Sequence, residues 1–243
     1  MLRSLATPSA PDDVSATRRH LATEVRTLRE PLRLALAAPR LVRAPRGDGA
    51  PVLCLPGYGG NDASLAPLRA YLAARGFEPH GWGLGVNRGR VPALAQRLRP
   101  RLARLAEAAD RPVHLVGWSL GGVLARELAR VAPEHVDRVV TFGSPIRGGA
   151  RHTAFAGRMD PEQVDGFARA ADERERVPVP RPLTVIHSRQ DGIVAWRACL
   201  DTVNEHEAVE VGSAHLGMGL DPDVWLAVAT ALARPSPPAA ASA

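Results

Sequence analysis

The chain is 243 residues long, 45% hydrophobic, with two cysteines. That length predicts one domain with a sizeable core, and two cysteines exclude a disulfide framework, leaving Cys54 and Cys199 as buried free thiols in a reducing compartment. The net charge of +6 comes from 31 basic residues, every one an Arg, scattered among 25 acidic ones without a dense run or interleaved aromatics, which argues against nucleic-acid binding.

Residues 1–13 are polar and Pro-containing and are expected to be mobile. They lack the apolar stretch of about 7–15 residues that a signal peptide needs. Nothing in the chain approaches the ~20 apolar residues of a membrane span, so the expectation is a cytoplasmic protein with no stable membrane insertion. From Val14 to Ala38, Leu21, Val25, Leu28, Leu32 and Leu36 recur at helical spacing with Arg and Glu opposite them. This predicts an amphipathic helix that packs on the domain or covers the mouth of a site, with binding at a membrane surface as the alternative.

The run Ala50–Pro56 reads as a strand that exits into Gly57-Tyr58-Gly59-Gly60. Asp62 or Ser64 can cap the next helix, which runs through Leu65, Leu68, Tyr71 and Leu72 to Gly76. Phe77–Trp82 is the second strand, and Val91–Ala109 is a helix in which Pro100 predicts a kink or break. Residues 113–118 form a strand and Ser119 to about Val131 a helix, followed by a strand over Val136–Phe142. Residues 144–181 depart from the alternation, with one helical patch over Pro161–Arg174, and occupy the place of a short cap or lid. Leu183–Ser188 is a strand, Ala195–Val203 a helix, Ala208–Val211 a short strand and Pro222–Leu232 the last helix, before a disordered tail over 234–243. Strands alternating with helices predict an α/β fold over 14–233, a mostly parallel sheet covered by helices on both faces. Its site belongs at the carboxyl ends of the strands.

Three of those strand exits carry linked chemistry. Gly117-Trp118-Ser119-Leu120-Gly121 stands between an apolar strand and a helix, the context of a nucleophile elbow, although a βα turn with a capping Ser has the same outline. A serine hydroxyl needs a base to take its proton, and the base needs a carboxylate to orient it. Asp191, in Ser188-Arg189-Gln190-Asp191-Gly192, and His215, in Ser213-Ala214-His215, follow later strands in the order Ser, Asp, His. Either alone has an ordinary structural reading, as a turn Asp or a packed His. The amide of Leu120 and that of Tyr58, in the Gly-rich loop, are the candidate donors to an oxyanion. Trp118 and Trp196 are candidates for an acyl pocket, and Arg88 for a substrate carboxylate or phosphate. No His and carboxylate pair has metal-ligand spacing, and the Gly-rich loop lacks the Lys and Ser/Thr of a phosphate-binding loop.

Taken together, Leu55-Pro56-Gly57-Tyr58-Gly59-Gly60, Gly117–Gly122, Thr141-Phe142-Gly143-Ser144-Pro145, Ser188–Val194 and Ser213-Ala214-His215 resemble the α/β-hydrolase superfamily, specifically its compact bacterial lipase/esterase-like members. The resemblance spans about residues 50–232. It implies Ser119 as nucleophile, Asp191 as acid and His215 as base of a carboxylic ester hydrolase acting on a small ester or acyl substrate without a cofactor. An acyltransferase or thioesterase with the same triad is the alternative, and a non-catalytic binding protein on the same fold is a third. Pro56 stands where many members have His, and the 144–181 segment is short and weakly apolar, which argues against action on oil droplets. Oligomeric state is not legible.

Overall fold

The computed structural model describes residues 22–154, 156 and 160–235. The expectations for residues 1–13, for residues 14–21 of the Val14–Ala38 helix and for most of the tail lie outside them. Six strands, β1 (Pro51–Leu55), β2 (Glu78–Gly81), β3 (Val113–Trp118), β4 (Val136–Phe142), β5 (Leu183–His187) and β6 (Glu207–Glu210), form one sheet in the order β2-β1-β3-β4-β5-β6. Every neighbouring pair is parallel, as in Leu53 opposite Leu115, Val116 opposite Val140 and Ile186 opposite Val209. Pro79, which cannot donate to a ladder, lies in edge strand β2, and the glutamates of β6 mark the other edge.

The helices are α1 (Glu30–Leu36), α2 (Ala38–Val42), α3 (Ala66–Ala74), α4 (Val91–Ala109), α5 (Leu120–Val131), α6 (Pro161–Glu175), α7 (Trp196–Cys199) and α8 (Pro222–Leu232). The central strands are apolar on both faces because both are covered. Val52, Cys54, Val116 and Val140 face α3 and α8 through Leu68, Leu72, Val224 and Val228. Leu53, Leu55, Leu115 and Val139 face α4 and α5 through Leu94, Leu98, Leu102, Leu124 and Leu128. Alternation with a period of two thus divides each strand between two cores.

Four local expectations need correction. The N-terminal amphipathic helix is not one element: a 3-10 helix over Ala22–Arg29 gives way to α1 and α2, with Pro31 and Pro39 in the first turns of those helices. Its apolar stripe does not pack on the domain, since Val25, Leu28, Leu32 and Leu36 are 66–82% exposed. The segment is held by Leu34 and Ala37, which pack against the core beside α8, and by its polar side. Arg33 bonds Glu30, Asp221 and Asp223, and Arg40 bonds Asp223. Burial and the neighbouring Asp221 push the Glu30 carboxyl up, with Arg33 opposing them.

The helix expected over Ala195–Val203 stops at Cys199, because Asp201 turns the chain by accepting the amides of Val203 and Asn204. Neither Asp62 nor Ser64 caps the 3-10 turn before α3. Asn61 does so through Ala63, and the Asp62 carboxylate takes the amides of Trp82 and Gly83 across the sheet edge. Pro100 does not break α4, which runs unbroken over 19 residues with Pro100 on its exposed side, where water can reach the carbonyl it leaves unpaired.

The described residues of segment 144–181 lie against the body. Ala154 N bonds Ile193 O, Ala195 N bonds His152 O, and Ala168 and Ala171 of α6 are buried. At the end of α6, Glu175 meets Arg126 of α5, which is fully buried and also bonds Asp201 at 2.6 Å.

Candidate active site

The elbow residue Ser119 adopts φ 53° and ψ −122°, a strained conformation for a residue with a Cβ. Two backbone bonds hold it there: Ser119 N donates to Phe142 O at 2.8 Å and Ser119 O accepts from Gly122 N at 2.9 Å. The glycine after it has a steric role, because a Cβ on Gly121 would run into the backbone of Leu55 and Pro56. The close approach of α5 to β1 keeps Ser119 at the strand exits. The loop after β1 passes directly over it, with a Cβ on Gly57 placed 3.2 Å from Ser119 Cβ.

Asp191 leaves β5 and His215 leaves β6, and the two side chains meet in the interior, 5% and 4% exposed. His215 Nδ1 lies 2.7 Å from Asp191 Oδ2, while Asp191 Oδ1 accepts the amides of Ile193 at 2.8 Å and Val194 at 2.7 Å. With Oδ1 engaged by its own loop, Oδ2 is left to face the imidazole at Nδ1. Gly143 links this pair to the elbow. Phe142, next to it, binds Ser119, and a Cβ on Gly143 would lie 3.1 Å from the His215 ring. Gly143 also needs its φ of +56°.

Two residues in the surroundings were not singled out from sequence. The first is Glu24, whose carboxylate accepts three amides: Gly192 at 2.9 Å, His215 at 3.0 Å and Leu216 at 2.8 Å. One side chain from the N-terminal segment therefore clasps the Asp191 loop to the His215 loop. The second is Asn87, buried after β2, which donates to Pro56 O at 2.8 Å and accepts Gly89 N at 3.0 Å. Its backbone takes Gly59 N and donates to Gly60 O, so Asn87 shapes the Gly-rich loop. The turn signal Asn87-Arg88-Gly89 was the available clue to Asn87. Nothing local points to Glu24.

Of the candidate oxyanion donors, Leu120 N opens α5 and has no intrahelical acceptor. In the other loop, Gly59 N and Gly60 N are engaged by Asn87 O and Gly57 O. Tyr58 lies between Gly57 and these two, its side chain 73% exposed. Trp118 stacks on Phe142 and tilts against His215, with ring centroids at 6.2 and 6.1 Å. Trp196 is apart from this cluster, stacked on His187 and flanked by the guanidinium groups of Arg189 and Arg197. Arg88 lines a groove beyond Tyr58. Burial lowers the His187 pKa and so favours its neutral form.

Among the described residues no group of three His, Cys, Asp or Glu could hold a metal ion, and no helix is long and apolar enough to cross a membrane.

The chain is similar to a pimeloyl-[acyl-carrier protein] methyl ester esterase of Aeromonas hydrophila, 34% identical over 27% of this chain and 35% of that one. A protein of the same description from Aeromonas salmonicida is 29% identical over 74% of this chain and 71% of its own length. The chain spans about a third of the length of the curated relatives it matches first. Among solved structures, the mature lipase BlEst2 of Bacillus licheniformis superposes with a TM-score of 0.58 at 15% identity, covering 76% of this chain and 91% of that one, a likeness of fold. The family model described as alpha/beta hydrolase fold matches residues 38–173, more than half of the chain and the whole of the elbow. With the parallel sheet and the strained serine between strand and helix, that match places the chain in the α/β-hydrolase family.

Proposed function

We propose that the chain is a carboxylic ester hydrolase that works through Ser119, His215 and Asp191 by way of an acyl-enzyme. The observation that carries this reading is the 2.7 Å contact between His215 Nδ1 and Asp191 Oδ2, taken with a serine held in a strained turn whose amide bonds Phe142, next to the Gly143 that abuts the His215 ring. His215 Nε2 takes the proton of Ser119 as its Oγ attacks the ester carbonyl. Asp191 stabilises the imidazolium that results. The tetrahedral oxyanion is held by the amides of Tyr58 and Leu120. On collapse the C–O bond to the alcohol breaks and His215 returns the proton to the leaving oxygen. Water then attacks the acyl-enzyme with His215 as base, releasing the acid and restoring Ser119.

Relatives named for a methyl ester support an ester as the scissile group. Trp118, packed beside His215, is the better placed of the two tryptophans to line the acyl pocket. Segment 144–181 is read as a short cap on one α/β-hydrolase domain, and the buried free thiols of Cys54 and Cys199 support a reducing, cytoplasmic setting.

Hydrolysis of p-nitrophenyl esters from short to long acyl chains, by wild type and Ser119→Ala, tests the reading. Turnover in wild type that is lost in the variant is the expected result. A folded wild type inactive on every chain length, or a variant as active as wild type, overturns it.

A further inference from the structure

Between β2 and the start of α4 lies an open groove of about 700 Å³ with an unusual lining. Leu84, Val86 and Leu94 give it an apolar wall, and Arg88, Arg90 and Arg97 give it three cations. No carboxylate lines it. Several arginines elsewhere in the chain are neutralised. Arg33, Arg111, Arg126, Arg130, Arg138 and Arg151 each meet an Asp or Glu. The guanidinium groups of Arg88, Arg90 and Arg97 have no hydrogen-bond or ion-pair partner among the described residues. Three uncompensated guanidinium groups around one apolar groove repel each other and attract an anion.

The backbone is built to hold this arrangement. Arg90 sits at φ 62° and ψ 51°, left-handed for a residue with a long side chain, between Gly89 at φ +83° and the first turn of α4. Asn87 fixes the turn from the other side through Gly89 N. Strain of this kind persists where the surrounding structure enforces it and clusters at ligand-binding positions. The groove also adjoins the reaction site. Its lining residues Val86 and Arg88 flank Asn87, which bonds the Gly-rich loop, and a Cβ on Gly89 would lie 3.9 Å from Tyr58 Cε2.

We propose that this groove seats an anionic oxygen group of the substrate, a carboxylate or a phosphate carried on an apolar chain, so that the preferred substrates are negatively charged esters. The inference rests on the esterase reading for its consequence in catalysis, while the groove itself is an anion site in its own right. The apolar wall takes the chain, and the guanidinium groups take the charged end in paired N–H···O contacts.

Two measurements on the full chain test it separately. Calorimetric titration with octyl phosphate, octanoate and octanol compares three heads on one tail. The expected result is binding of one or both anions but not of the alcohol, weakened by salt and lost in Arg88→Ala/Arg97→Ala with an unchanged circular dichroism melt. The anion that binds tells phosphate from carboxylate. Equal binding of octanol, no anion binding, or anion binding that survives the double variant overturns the groove as the seat. Turnover then joins the groove to the reaction. Methyl esters of monocarboxylic acids are compared with half-esters of matched dicarboxylic acids and with acyl esters of glycerol phosphate. The expected preference in kcat/KM for the charged ester is about tenfold or more, the scale of one charge-assisted contact, and it collapses towards one in the double variant. Anion binding with neutral esters turned over equally well overturns the substrate assignment and leaves the esterase standing. Anion binding with no ester turned over overturns the esterase reading and leaves the groove.

Discussion

Glu24 stands 191 positions from His215 in sequence, yet its carboxylate accepts the His215 amide at 3.0 Å. The same group holds Gly192, next to Asp191. The N-terminal segment, most of which precedes the region matched by the family model, is thereby part of the scaffold that joins the Asp191 loop to the His215 loop. Catalytic groups tolerate little misplacement, so a clasp on both loops has kinetic consequences without touching substrate.

Glu24→Ala is expected to lower kcat roughly 10- to 100-fold with a small change in KM, because positioning rather than binding is lost. Glu24→Gln, which keeps one acceptor oxygen, should restore part of the rate. Urea midpoints should fall as well, since the amides of Gly192, His215 and Leu216 lose their acceptor, so rates are compared where circular dichroism shows both proteins folded. A full-rate Glu24→Ala enzyme would show the clasp to be dispensable.

Asp191→Asn keeps an oxygen for the amides of Ile193 and Val194 but presents the wrong group to His215. The expected loss in kcat is on the order of 10⁴-fold with the fold intact. Steady-state rates beside a circular dichroism spectrum check this, and a loss below about tenfold would remove Asp191 from the proposed role.

Arg126→Met leaves Glu175 and Asp201 facing each other without their shared cation. The expected cost is about 3–5 kcal/mol in urea unfolding, the range for breaking a buried ion pair. Burial pushes the Asp201 carboxyl up, but Arg126 and the amides of Asn204 and Val203 outweigh it and hold the carboxyl below its ordinary value. A lowered folded pKa adds stability that is full above the ordinary carboxylate range and is lost as pH falls through the folded value. The gap between wild type and Arg126→Met should therefore narrow on acidification. A gap that stays constant in acid would contradict the assignment.

Burial pushes the Cys54 thiol up to about 12 and the Cys199 thiol well above its ordinary value, with the Asp191 charge adding to the second. Neither should react with Ellman's reagent in the folded protein at about pH 8, where an exposed thiol is partly thiolate. Both should react in guanidinium chloride. A fast-reacting thiol in the native protein would mean that one of them is accessible.

The strands were legible because apolar runs with turn residues at their ends leave little choice, and β3, β4 and α8 occupy the ranges read from sequence. The loops bearing Ser119, Asp191 and His215 were legible for the same reason, as exits from those strands. What failed was decided by side-chain hydrogen bonds that apolar periodicity does not register. Asp201 cut short α7 through two amides, and Arg33 bound the N-terminal segment by its polar side to Asp221 and Asp223, leaving Leu28 and Leu36 in solvent. Periodicity reports that a face is apolar, not what lies opposite it. Glu24 was out of reach because its three partners lie 168–192 residues away.

The most direct test of the Ser119 mechanism is intact-protein and peptide mass spectrometry after treatment with a fluorophosphonate, which traps an activated serine by displacement of fluoride. The account predicts a single adduct on Ser119, formed in wild type and abolished or greatly slowed in His215→Ala. Ester turnover that persists without an adduct at Ser119, or an adduct confined to another residue, would contradict it.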